Sequence, residues 1–337
     1  MSMHFLHCKT PDSKHYKVLP NGAMRIARKF TPAEFMSDDV PSHWPDFLSV
    51  VDEDLAIEDK KTYKKLLRKR MAQFNKYAYM LSDYNLSMIG YLQGDDGAGK
   101  SGTVSILDTA IWRDHKIFRS VPIGAPTPEE LKYPFLWRFN KLDRTPQVGQ
   151  ITIFDRTHQG RFLDEKVLCI TPPHEIEKSY GDIRQYEHLA RRLGAIQVKI
   201  WLGVAYDEQG RRFKKRIEEK PKKKTEADDL NRALRKEFHD AANVGFYQTA
   251  TDDIPQYVVS SNDKPYCHIA VLEIFIHEMK KAIKRRRREA KKHAAEMVKF
   301  AKDQKAFAKR KEKILAKAKA EQEADKGKKK GKKKDKK

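Results

Sequence analysis

"LSMIGYLQGDDGAGKSGTVSILDTAIW", residues 86–112, decides the fold. Its first eight residues form a short apolar run of strand character, and its last ten read as a helix. Between them, Gly94, Gly99, Lys100 and Ser101 satisfy the pattern G-x-x-x-x-G-K-[ST]. In that pattern backbone N–H groups and the lysine hold phosphate oxygens, while the hydroxyl serves Mg²⁺. A bare glycine-rich turn is the alternative, but strand before and helix after are the context a phosphate loop requires. The expected phosphate contacts are Gly94, Gly97, Gly99, Lys100, Ser101 and Gly102. Asp95 and Asp96 sit inside this loop although carboxylates repel phosphate. Since a metal inverts local charge logic, one aspartate can reach the metal or the acceptor. Asp96 is assigned that role, and Asp95 is expected to face solvent.

Outward from the loop, "KIFRSV" (116–121), "GQITIFD" (149–155), "AIQVKIWLGV" (195–204) and "QYVVSS" (256–261) read as further strands. Helical patterns run from Leu55 to Leu81, and from Cys267 to Ile283. "TPEELKYPFLWRFNKL" (127–142) carries an N-terminal helix signal despite Pro134. Strands alternating with helices imply a parallel sheet covered on both faces. The fold class is therefore α/β: a three-layer α/β/α P-loop kinase-like domain over residues 55–283. Residues 1–54, broken by five prolines, read as an arm packed on that domain rather than a separate fold. Ligands bind beyond the carboxyl ends of parallel strands, where residues 94–102 and Asp155 both fall.

Asp155 ends a hydrophobic strand and resembles the second acid with which P-loop enzymes hold their metal. The metal ligands predicted are Asp96, Ser101 and Asp155, the metal being Mg²⁺. Arg156 and Arg161 follow in "FDRTHQGR" and suit charge cancellation over a moving phosphoryl group. Their alternative is pairing with Asp164 or Glu165. Asp96, Lys100, Asp155, Arg156 and Arg161 are the candidate catalytic set. Residues 206–238 are too charged for a core and too long for a simple connection, and read as a projecting helical hairpin, a lid. Its cations Arg211, Arg212, Lys215 and Arg216 suit a long polyanion, against the alternative of a solvated charged face.

The formal net charge of +23 is concentrated at one end. Residues 280–337 hold 27 Lys/Arg against 8 Asp/Glu, leaving 43 against 39 in the first 279. The tail, 284–337, is expected to be helical to about Ala324 and then disordered, because its Lys-Gly repeats carry little apolar surface. It reads as a tether for a polyanion, polyphosphate or nucleic acid, or as a solubilising tail. Cys8, Cys169 and Cys267 show no paired spacing and read as free thiols. No membrane span or leader pattern is present, so a soluble, cytoplasmic protein is expected.

Four motifs together resemble the polyphosphate kinase 2 family, particularly its polyphosphate:AMP phosphotransferase branch. The family loop G-x-D-x-x-G-K-[GS]-G matches Gly94 to Gly102, with Asp96 on the family aspartate. D-R-[ST]-W-Y-[NG]-R is similar to Asp155 to Arg161, and the family's lid motif to "WLGVAYDEQGRRFKKR" (201–216). V-V-x-[AS]-x-D-K is similar to Val258 to Lys264. The resemblance implies Mg²⁺-dependent phosphoryl transfer between inorganic polyphosphate and a nucleotide, AMP or ADP and also GMP or GDP, in a homo-oligomer. It also implies that the basic lid guides the polyphosphate chain. Two departures stand out: His158-Gln159 replaces Trp-Tyr, and Gln256 replaces a tryptophan. Aromatic-to-polar changes there can alter or loosen the nucleotide pocket; His158 either donates to a phosphate or, at least as readily, has a structural or solvated role. A non-catalytic binder that kept the fold, and an ATP-dependent nucleotide kinase, are the competing functions.

Overall fold

The computed structural model describes residues 15–219 and 226–334. Cys8, the start of the arm, the middle of the lid and the last three residues lie outside the described residues. In chain order the elements begin with β1 (Tyr16–Val18), β2 (Met24–Ile26), α1 (Pro32–Met36) and α2 (Lys60–Tyr79). They continue with β3 (Ser87–Gly94), α3 (Lys100–Ala110), β4 (Phe118–Pro122), β5 (Ile151–Asp155) and α4 (Asp164–Val167). Next come α5 (Pro173–Arg192), β6 (Ala195–Gly203), α6 (Tyr206–Glu219) and α7 (Glu226–Ala233). The last are α8 (Arg235–Thr249), β7 (Gln256–Ser260) and α9 (Lys264–Lys334).

All seven strands form one sheet of order β1-β2-β7-β6-β3-β5-β4. The five strands read from the sequence pair in parallel, with β3 at their centre. The arm adds β1 and β2 antiparallel on the free edge of β7, and Phe47 of the arm is fully buried. Covering an edge strand removes a row of unpaired backbone groups, which explains an arm with so little regular structure.

Register sorts the side chains of the sheet. Gly90 of β3 faces α9: a Cβ there would lie 2.7 Å from Phe275 Cζ. Phe275 in turn meets Phe74 of α2 edge-to-face at 6.0 Å. On the opposite face Tyr91 stacks on Phe154 at 5.7 Å, and Trp201 of β6 meets Phe246 of α8. Met88, Leu92, Val198, Ile200, Leu202, Ile151 and Ile153 are wholly buried, as the near-continuous apolar strands of a doubly covered parallel sheet should be.

Three expectations change. The segment 127–142 is not a helix but two short 3₁₀ turns, Glu130–Lys132 and Phe135–Phe139. Thr127 and Glu130 do exchange the capping hydrogen bonds, but Pro134 removes the donor the next turn needs. The lid is packed at its base. In α6 the side chains of Gln209, Arg212 and Phe213 are buried, and their three- and four-residue spacing places them on one face. Finally, α9 continues through Lys334, past Asp325 where order was expected to end. Lysine is a good helix former and isolated glycines cost only about 1 kcal/mol each.

The chain divides after Ala282 into two units. Among the described residues no helix is long and apolar enough to cross a membrane. Cys169 is exposed and Cys267 buried, both free, and burial pushes the Cys267 thiol up to about 12.

Candidate active site

The loop between β3 and α3 turns where the backbone permits only glycine. At Gly94 (φ 146°) a Cβ would lie 2.2 Å from the Leu202 carbonyl of β6, and Gly97 and Gly99 also have positive φ. Lys100 folds back so that Nζ donates to the carbonyls of Gly94 (2.8 Å) and Asp95 (3.2 Å). Ser101 Oγ lies 3.3 Å from Asp155 Oδ2 at the end of β5. Gly102, in the first turn of α3, has nothing within 4 Å of a Cβ position. The loop therefore presents its helix end to open space, the arrangement that receives an anion.

The two aspartates part ways. Asp95 is buried, not solvated: Oδ2 accepts from the Val204 N–H at 2.9 Å and Oδ1 lies 2.8 Å from His239 Nε2. Arg235 stands 3.4 Å from the same carboxylate. Asp95 thus ties the loop to the end of β6 and to α8. Asp96 faces the cleft, accepting from Asn231 Nδ2 of α7 at 2.7 Å and lying 3.8 Å from Lys100 Nζ. The carboxylate with a structural task is the inward one.

One narrow cleft gathers Gly94, both aspartates, Lys100, Arg156, Asp164 and Arg235. Asp164, Asn231 and Arg235 were not singled out as site residues from the sequence. Arg235 is notable because its Nη1 is buried without a hydrogen-bond partner among the described residues, while Nη2 donates to the Val204 carbonyl. A buried guanidinium nitrogen with nothing to donate to is costly unless a ligand completes it. Burial pushes the Asp164 carboxyl up, against the pull of Arg156. Only the fold could reveal these three, since they lie on α4, α7 and α8. On the other side of Ser101–Asp155 a second groove of about 480 Å³ opens against Val104 and Phe118.

Other predicted site residues are occupied elsewhere. Arg161 is 2.5 Å from Glu165, 2.7 Å from Thr171 Oγ1 and packed over the Phe135 ring, outside the cleft lining. Arg212 is no steering cation. Its guanidinium donates to Glu208 and to the carbonyls of Gly97, Ser261 and Asn262, and so staples α6 to the phosphate loop and to the end of β7. Arg211 shares Glu208 with it. The Arg211 hydrogen bonds, against burial and helped by Arg212, bring Glu208 down to about 2. Lys215 is exposed beside Glu219 at 3.5 Å, and Arg216 lies over Phe213.

The departures at 158, 159 and 256 do not line the cleft; all three side chains are buried. His158 stacks on Tyr91 at 4.5 Å and its Nε2 is 2.9 Å from Glu187. Gln159 donates to Gln256 Oε1 at 2.8 Å. Two separate motif changes form one interior contact, invisible until β5 and β7 are folded near each other.

The model of the polyphosphate kinase 2 family matches residues 57–287. A polyphosphate:AMP phosphotransferase of Pseudomonas aeruginosa is 34% identical over 233 residues, covering 67% of this chain and 45% of the relative. A protein of the same description from Acinetobacter johnsonii is 36% identical over 192 residues, covering 56% and 39%. The chain thus spans less than half the length of these relatives. A crystal structure of a polyphosphate kinase 2 from Pseudomonas aeruginosa superposes with a TM-score of 0.67 at 32% identity, covering 71% of this chain and 51% of that one.

Proposed function

The chain belongs to the polyphosphate kinase 2 family, and from that premise we propose that it transfers a phosphoryl group between inorganic polyphosphate and a nucleoside phosphate, with AMP the favoured acceptor. The observation that carries this reading is the convergence of Lys100, Arg156 and the incompletely bonded Arg235 on one cleft, beside the Ser101–Asp155 pair. The descriptions of the two relatives, polyphosphate:AMP phosphotransferases, support the choice of acceptor.

In this reading the loop N–H groups, Lys100 and Arg235 hold the polyphosphate end in the cleft. Arg156 cancels charge on the terminal phosphoryl group. The acceptor comes in over the groove that shares the Ser101–Asp155 wall. An acceptor phosphate oxygen attacks the terminal phosphorus, and the bridging P–O bond to the next phosphate breaks, leaving a chain one unit shorter. Such transfer depends on alignment and charge cancellation more than on covalent chemistry by the protein.

The residues present fit Mg²⁺. A hydroxyl and a carboxylate are hard oxygen donors, and among the described residues no group of three or more His, Cys, Asp or Glu forms a protein cage. Mg²⁺ is characteristically held by one or two carboxylates plus substrate phosphates. Ser101 and Asp155 would hold it, with Asp96 free to join once its Asn231 contact opens. Bound there, it would neutralise phosphate charge.

Exposed Lys215 and the basic helix after Ala282 supply cations for longer-range attraction of polyphosphate. The non-catalytic alternative drew on the changed aromatic positions, and these lie in the interior. The test is chromatography of products from full-length protein, Mg²⁺ and long-chain polyphosphate with AMP or ADP. ADP formed from AMP, and lost in Lys100→Ala and Asp155→Asn, is the expected result. Polyphosphate binding without product from either nucleotide would reject it.

A further inference from the structure

Arg156 adopts a left-handed backbone conformation, φ 63°, which crowds the Cβ of every residue but glycine. Such a residue persists only where its surroundings over-determine it. On one side the constraint is β5: Asp155 pairs with Leu92 of β3, and the Arg156 N–H donates to the Leu92 carbonyl at 3.1 Å. On the other side Thr157, His158 and Gln159 are 2%, 1% and 1% exposed. Thr157 Oγ1 accepts from the Gln159 N–H at 3.1 Å and closes the turn.

Two buried contacts anchor that far side. Glu187 of α5 bonds His158 with one oxygen (2.9 Å) and Lys199 of β6 with the other (2.7 Å). Lys199 also donates to the Thr249 carbonyl at the end of α8. Because an ionised carboxylate only accepts, His158 carries its hydrogen on Nε2. Among the described residues its buried Nδ1 has no partner, consistent with a neutral ring. The second contact is Gln159 to Gln256, whose own Nε2 donates to the Tyr257 carbonyl. Thus α5 and β7 grip His158 and Gln159 directly, just after a strained arginine, while β6 and α8 brace Glu187 through Lys199.

We propose that His158, acting through Glu187 and Lys199, and Gln159, acting through Gln256, are positioning residues for Arg156, holding its strained turn so that the guanidinium stays aimed into the phosphate cleft. This rests on the reading of Arg156 as a phosphate-binding group. The polar residues at 158, 159 and 256 are then this chain's way of rigidifying the turn, since a buried hydrogen-bonded network admits few alternative arrangements.

The experiment is a double-mutant cycle on tripolyphosphate affinity, measured by calorimetry on the full chain, so that it needs no turnover. Arg156→Ala should weaken binding about tenfold or more, the size of a charge-assisted hydrogen bond. His158→Phe keeps the stacking on Tyr91 but loses the Glu187 contact, and should weaken binding severalfold. In the Arg156→Ala background it should weaken binding no further. The same loss in both backgrounds, or no loss in either, would overturn the proposal and make the network purely structural. Should His158→Phe fail to fold, Gln159→Leu combined with Gln256→Leu removes both amides together and enters the same cycle, with the same expected and overturning results. A protein inactive with AMP and ADP that still shows the predicted coupling would reject the enzymatic reading alone. Activity with additive losses would reject only the positioning role.

Discussion

Two polar clusters lie at the end of β5, and they could hardly be used more differently. In the cleft, among the described residues, Arg235 keeps an unpartnered nitrogen, and Lys100 meets loop carbonyls and a carboxylate at 3.8 Å. Behind it, Glu187, Lys199, His158, Gln159 and Gln256 bond one another in the interior. Residue type does not separate the two clusters, since both consist of charged and amide side chains. The separation lies in access: Lys100 and Arg235 line a cleft, whereas His158, Gln159 and Gln256 are closed into the interior. Polar groups bonded to one another in the interior stabilise and orient, whereas those lining a cleft remain open to a ligand. Motif reading sees residue types and is therefore blind to this difference. It placed Arg156, Arg161, His158 and Gln159 together, while the fold sends Arg156 to the cleft, Arg161 to Glu165 and the other two inward.

The comparison can be broken by showing that cleft residues support the fold or that interior ones do not. The largest expected effect is on turnover. Lys100→Ala or Asp155→Asn should lower kcat by about 10²–10³, the typical cost of removing one charge-stabilising group, with Tm nearly unchanged. A collapse of Tm in either would place the cleft among the structural clusters. Arg212→Ala should do the reverse. Losing a buried guanidinium that serves one carboxylate and three carbonyls should cost about 3 kcal/mol in urea unfolding.

Glu130 provides a sharper test, because it has a pH signature. Burial alone would raise this carboxyl, but Lys141, the Thr127 N–H, Arg138 and Arg144 together bring it down to about 2. A carboxyl lower in the folded than in the unfolded chain stabilises above its unfolded value. That stability is lost as pH falls from about 4.5 through 2. Glu130→Gln should therefore cost about 2–3 kcal/mol at neutral pH and flatten the acid limb of unfolding in that window. An unchanged acid limb would show that the three cations are not held by this carboxylate. The smallest effect is expected at Lys215, exposed beside Glu219. Lys215→Ala should change stability by less than about 0.5 kcal/mol. It should also reduce the salt dependence of polyphosphate binding, and an unchanged dependence would remove Lys215 from the guiding surface.

Legibility followed range. The five parallel strands were readable because their apolar runs are local and near-continuous, and the phosphate loop because strand, glycines, lysine and helix are contiguous. The arm's β-hairpin was missed because three-residue strands carry almost no periodic signal and depend on the β7 edge for their pairing. The failed helix at 127–142 had a correct capping signal, but a proline eight residues in decided the rest.

The sequence by itself determined the α/β class, the phosphate loop, the strand-end acid Asp155 and the basic character of the last fifty residues. Each of these is written in adjacent positions, where backbone geometry and charge act within a few residues. Only the tertiary structure decided that Asp95 is tied to Val204 and His239, and which arginines line the cleft. It also decided that Arg235 joins from α8, and that Gln159 finds Gln256 across 97 positions of chain. Those outcomes are set by which donors and acceptors meet when distant elements pack, a pairing problem that is solved only once the whole sheet is assembled.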